Sequence, residues 1–125
     1  MPDVVVTVPK AMWIDWIAEG DGVGEPPTGE EWGFYTSGGK PDIQPGDRVY
    51  VVAHGRLRGY APLTRLVVQG RRLVFCRAAG AVAVTVPGPI RGFQGWRYRW
   101  WDRSDEVPFP HWETEGVPAK YIGIH

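Results

Sequence analysis

The sequence is short of several things. Cys76 is its single cysteine, so no internal disulfide forms and an intracellular, cytoplasmic protein is the expectation. No apolar run approaches the roughly 18 residues of a membrane span. The opening stretch MPDVVVTVPK has neither a basic start nor a long apolar core, so it does not read as a secretory signal. His54, His111 and His125 lie far apart, with no His/Cys pair at ligand spacing, so no metal site is expected. The stretch SGGK lacks the spacing of a phosphate-binding P-loop, and no cofactor motif is present. Lysine is scarce as well, at three residues against eleven arginines.

Other features are abundant. The chain has 125 residues, with 17 Gly, 12 Pro and 7 Trp. That length is one domain, residues 1–125, and the Gly/Pro content favours short strands and many turns over long helices. The formal net charge of zero hides a sorted pattern. Residues 1–47 carry two Lys and nine acids, residues 48–103 eleven Arg and one acid, and residues 104–125 one Lys and four acids. The middle is therefore strongly basic, and every base in it is arginine. A guanidinium offers phosphate a planar fork and stacks on flat rings, which suits nucleic acid. The plain alternative is that the acidic flanks neutralise the arginines within the fold.

Along the chain, residues 3–8 are a β-branched run and read as a buried strand. Residues 9–19 read as a short amphipathic helix that opens at Pro9 and buries Trp13 and Trp16. Residues 21–31 are loop by composition, and WGFYT is a short strand. RVYVVAHG and RLRGYAPLTRLVVQG are strands joined by a turn at Gly55, with a second turn at QGRR. Residues 72–86 make one long strand or two broken near Gly80. Residues 87–95 are a loop, WRYRWW is a strand, and residues 102–118 are too Pro-rich for regular structure. AKYIGI closes the chain as a last strand. This order predicts a mainly β (α+β) fold, a small closed, mainly antiparallel barrel with one N-terminal helix packed at its end.

The order strand, helix, Gly/Pro loop, then IQPGDRVYVVAHGRLRGYAPLTRL resembles the PUA-like superfamily, with its ASCH, EVE and YTH-type domains. The specific part is PGDRVYVV…RGYA, a Pro-Gly-Asp turn that launches a strand, followed by small residues at Gly59 and Ala61. The resemblance implies a PUA-like closed barrel that binds DNA or RNA. In the YTH and EVE-like branches it implies an aromatic pocket for a modified base. Some ASCH proteins resemble hydrolases of RNA or modified nucleosides, with a Gly-Lys-Lys-Thr-like segment ending in Arg. On that pattern only Lys40 and Arg48 can be placed here; the paired basic residues and the Thr are missing.

Candidate residues follow from both lines of reasoning. Trp32 and Tyr35 sit between Gly-rich loops, where binding residues concentrate. In residues 92–103, Trp96, Tyr98 and Trp100 share one strand face and are expected in the core. Arg97, Arg99 and Trp101 share the other, so Trp101 is the expected surface ring. Arg56 and Arg58 on one strand, with Arg97 and Arg99 on a neighbour, would form an exposed basic strip for phosphates. Lys40 is the phosphate-holding candidate, or with Ser37 the catalytic one if the protein is a hydrolase. Glu30, Glu31 and Asp47 are the other acid/base candidates. Cys76, in an apolar run, reads as an inert core thiol. The expectation is a nucleic-acid-binding domain that holds a modified or flipped base between Trp32, Tyr35 and Trp101. An ASCH-like hydrolase and a small protein-interaction module are the alternatives.

Overall fold

The computed structural model describes residues 2–19, 22–26 and 28–121. Its framework is a six-stranded sheet. The strands are β1 (Val4–Thr7), β2 (Glu31–Ser37), β3 (Arg48–Ala53), β4 (Arg56–Gln69), β5 (Arg72–Ala78) and β7 (Trp96–Tyr98), with β6 (Val84–Thr85) between the last two in sequence. Their spatial order is β2-β5-β4-β3-β1-β7. β6 pairs separately with β8 (Val107–Pro108). The mainly β class with one helix is therefore present. Among the described residues no ladder joins β2 to β7, so hydrogen bonding does not close the sheet.

β1 sits deepest because its valines serve both faces of the sheet. It pairs parallel with β3, Val4 opposite Val49 through Thr7 opposite Val52, and antiparallel with β7. Val4 and Val6 pack with Val49, Leu63, Leu73 and Phe75 on one face. Val5 packs with Tyr50, Val52, Leu57, Val86 and Ile90 on the other. A strand covered on both faces reads as a continuous apolar run rather than an alternating one.

Curvature comes from β4. Its first half pairs with β3 and its second half with β5, with bulges opposite Val51/Val52 and between Leu63 and Arg65. Bulges bend and twist a strand, which carries the sheet round on itself. The β3–β4 turn has positive φ at both central residues, His54 (48°) and Gly55 (76°). That is the geometry a tight hairpin requires. Gly59 is needed for a close approach: a Cβ there would lie 2.2 Å from Val23 and 2.3 Å from the Val82 carbonyl.

The helix is shorter than its pattern predicts. It enters through a 3-10 turn (Lys10–Met12) and continues as α1 (Trp13–Ala18). Trp13 is fully buried and joins Val8, Val51, Ala53, Phe109 and Trp112 at this end of the sheet.

Two expectations change at the C-terminal side. Only residues 96–98 of WRYRWW are strand; one residue on, the Arg99 amide still donates to the Asp3 carbonyl (2.9 Å) and its side chain pairs with the buried Asp3 carboxylate, and the ladder goes no further because its partner β1 begins at Val4. The expected closing strand AKYIGI starts as a 3-10 turn at Ala119–Tyr121, and its remaining residues lie outside those described.

Candidate functional site

Two edges of the curled sheet face each other across a gap. At one end they nearly touch. The Trp96 indole donates to the Gly39 carbonyl (2.8 Å), and the Tyr98 hydroxyl accepts from the Asp42 amide (2.9 Å). Beyond that contact the gap widens into a cleft of about 700 Å³. Residues 32–37 form one wall, since β2 pairs with β5 on one side only. The other wall is residues 6–9, where β1 runs past the end of β7, together with Phe93, Gln94 and Gly95. The helix roofs the cleft with Met12, Asp15, Trp16 and Glu19. Those positions are three or four apart, so they share one helical face.

Five aromatic residues border the space: Trp16, Trp32, Phe34, Tyr35 and Phe93. Trp16 stacks on Phe34 with centroids 5.0 Å apart. Its indole N–H is buried and meets no acceptor among the described residues. Tyr35 is 68% exposed, which is unusual for a ring with core packing on offer nearby. Charge is split across the cleft: Asp15 and Glu19 stand on the helix wall, and Arg72 stands on the strand wall. Arg72 forms no ion pair among the described residues. A second hollow of about 370 Å³ adjoins the cleft, shares Thr7, Val8, Pro9, Phe93 and Gln94 with it, and ends at Lys10 and His54.

Trp32 and Tyr35 both border the cleft, from opposite faces of β2, whereas Trp101 does not border it. Trp101 is half-buried against Tyr50, with centroids 5.1 Å apart, and its indole N–H donates to Glu106 (3.0 Å). The neighbouring ring takes the surface instead. Trp100 is 54% and Tyr98 44% exposed, and Trp96 is half-buried. The alternation expected for residues 96–101 fails because the strand ends at Tyr98, and the period of two ends with it.

The basic strip is not assembled. Two strands, β3 and β1, separate β4 from β7. Arg58 is fully buried. Its guanidinium donates to the carbonyls of Ala53 (2.9 Å), Trp112 (3.1 Å), Glu115 (2.6 Å) and His54 (3.3 Å), tying the C-terminal turns to the hairpin. Burial, with the charge of Arg56 beside it, pulls the Arg58 pKa down to about 10. Arg56 pairs with Glu115 at 2.8 Å. Arg99 and Arg103 both engage Asp3. Burial pushes the Asp3 carboxyl up, but hydrogen bonds from the Arg48 amide, Arg103 and Arg99 outweigh it and hold the pKa below the ordinary value. Of the four strip arginines only Arg97 is exposed without an ion pair among the described residues.

The catalytic candidates are scattered. Lys40 is exposed and lies outside the cleft lining, although Ser37 is part of it. Glu31 is bound by Arg65 and Thr64, and Asp47 accepts from the Gln44 amide. Glu30 is exposed outside the lining. Cys76 is buried, and burial pushes its thiol pKa up. No group of three or more His, Cys, Asp or Glu is placed to hold a metal among the described residues.

Reading the sequence missed Trp16, Phe34, Phe93 and Arg72 as cleft residues. The signal for Trp16 was present in the helical spacing of Met12, Trp16 and Glu19, but a Trp at that spacing reads equally as core. Nothing local marks Phe93 or Arg72, which reach the cleft through the curl of the sheet.

No protein-family model matches the chain, and neither a curated protein nor a solved structure is detectably similar to it. Among the described residues no helix is long and apolar enough to cross a membrane.

Proposed function

We propose that the protein binds nucleic acid and that the cleft between β2 and α1–β1 receives one unstacked base, in a PUA-like barrel whose open seam is the binding site. The observation that carries this is the cleft's lining, five aromatic residues around about 700 Å³. Sites for small flat ligands span about 300–1,000 Å³ and are mostly apolar with a few placed polar groups. Base-on-ring stacking stabilises by about 1–3 kcal/mol per base and works for any base, because each has a π-face. The split charge orients the ligand. The phosphate lies toward Arg72, and the base edge, with its N–H donors, lies toward Asp15 and Glu19. The open edge of β2 supplies peptide groups for the same purpose. A hydrolase finds little support, since Lys40 stands outside the lining and no nucleophile–base pair is assembled in it.

The test is titration with 5′-mononucleotides and short single-stranded oligonucleotides, followed by tryptophan fluorescence, since Trp16 and Trp32 report from the cleft itself. Trp32→Ala and Tyr35→Ala should each weaken binding roughly 5- to 100-fold, the loss expected for one base–ring stack. Tyr35→Ala should keep the wild-type melting temperature, its ring being mostly in solvent. Affinity that is absent at low salt, or undiminished in both variants, would overturn the proposal.

A further inference from the structure

Outside the cleft, one surface combines unpaired cations with exposed rings. Arg97 is exposed, and its guanidinium lies 4.5 Å from the centroid of the Phe93 ring. Trp100 meets Phe93 nearly edge-on at 6.3 Å and is more than half open to solvent. Arg91, two positions before Phe93, is exposed. Arg48, Arg56, Arg65, Arg99 and Arg103 all pair with carboxylates, whereas Arg91 and Arg97 do not among the described residues. Phe93 belongs to both places: it carries Arg97 and also lines the cleft. The patch therefore begins where the cleft ends.

The geometry points to a second binding surface at Phe93, Arg97 and Trp100, with Arg91 beside it, for the nucleotide adjacent to the one in the cleft; the ligand is accordingly a single strand. This rests on the cleft receiving a base. Contact with the Phe93 ring restrains the Arg97 guanidinium, whose N–H groups remain available to fork onto a phosphate. The open ring of Trp100 accepts a base only if that base is not already stacked inside a duplex. A protein partner would have to bury Arg91 and Arg97 with carboxylates of its own. A phosphodiester brings the negative charge and the flat ring in the same repeating unit.

The experiment compares wild type, Trp100→Ala, Arg97→Gln and Trp32→Ala against three probes: 5′-mononucleotides, a labelled single-stranded pentanucleotide, and a duplex of the same sequence. Trp100→Ala and Arg97→Gln should leave mononucleotide affinity within about twofold and weaken the pentanucleotide roughly 5- to 100-fold. Arg97→Gln should also reduce the slope of log affinity against log salt by about one. The duplex should bind wild type at least about tenfold more weakly than the single strand. Pentanucleotide affinity unchanged in both patch variants overturns the inference. So does an equal loss for mononucleotide and pentanucleotide, which would place Trp100 in the cleft's own business. A pentanucleotide that depends on Trp100 and Arg97 but not on Trp32 supports the patch and removes the cleft. No binding of any probe overturns both.

Discussion

Two regions of this protein are built from the same residue types and use them in opposite ways. At the helix end, Trp13, Trp112 and Arg58 are all buried. Trp13 meets Trp112 edge-on at 5.7 Å, and the Arg58 guanidinium lies over both Trp13 and Phe109. Across residues 93–100, Phe93, Arg97 and Trp100 repeat the aromatic-and-arginine theme at the surface. The difference lies in where the hydrogen bonds go. Arg58 spends its donors on four carbonyls and so can be dehydrated. Arg97 has no such acceptors among the described residues and keeps its hydration. Composition alone does not separate a structural cation–ring cluster from a ligand-binding one; the satisfaction of the donors does.

The largest effect that sharpens this comparison is on the rings. Trp13→Ala should destabilise by about 3–5 kcal/mol, the range for a buried aromatic, from a total of about 5–15 kcal/mol for a domain. It also removes a 3.1 Å hydrogen bond to the Glu113 carbonyl. Trp100→Ala should move stability by about 0.5 kcal/mol or less, as exposed substitutions do. Urea melts of the two variants check this. Equal losses would mean that residues 93–100 are core after all, and the contrast would vanish.

The arginines give the next effect. Arg58→Met keeps most of the side-chain volume but removes the guanidinium bonds to the carbonyls of Ala53, His54, Trp112 and Glu115. A cost of about 3 kcal/mol follows if two of them stay unsatisfied. The C-terminal turns at residues 109–116 should lose amide-exchange protection first, since Arg58 supplies two of the hydrogen bonds that hold them. Arg97→Met should be neutral for the fold. A neutral Arg58→Met would show that water replaces the guanidinium without cost.

These contrasts also show what was legible in the sequence. Strand β1, the β3–β4 hairpin at Gly55 and the burial of Trp13 were readable, because valine runs, a glycine turn and helical spacing are local signals. Trp32 and Tyr35, singled out for their loop-flanked setting, are among the residues that border the cleft. The exchange of Trp100 and Trp101 was not. Alternation identifies a face only while the strand lasts, and β7 stops at Tyr98 because its partner β1, more than 90 residues away in sequence, begins opposite it at Val4. The burial of Arg58 was equally hidden. Its acceptors at Trp112 and Glu115 come from the far end of the chain, and no local pattern marks a carbonyl as available. Part of the charge sorting serves pairing: among the described residues, Asp3, Glu31, Glu106 and Glu115 of the acidic flanks pair with five of the eleven arginines of the middle.

The smallest effect concerns pH and returns to the helix end. His54 sits in the hairpin turn at a φ of 48°, where Asn is the usual choice, and its ring packs edge-on to Trp13 and against Tyr121. Burial pushes the imidazole pKa below its ordinary 6.5; the charges of Arg58 and Lys10 act the same way, and a hydrogen bond with the Lys10 backbone opposes them. The unfolded chain therefore takes up a proton near pH 6.5 that the folded one still refuses. Stability is full above that pH and falls as the pH drops from about 6.5 toward the lower folded value. His54→Asn removes the titration and suits the turn. Its melting temperature should change less than the wild type's between pH 7.5 and 5.5, while at pH 7.5 it should lie slightly below wild type through lost ring contacts. An identical acid slope in the two proteins would assign the pH dependence elsewhere. It would also mean that this cluster, unlike the surface one at Arg97, tolerates a second positive charge.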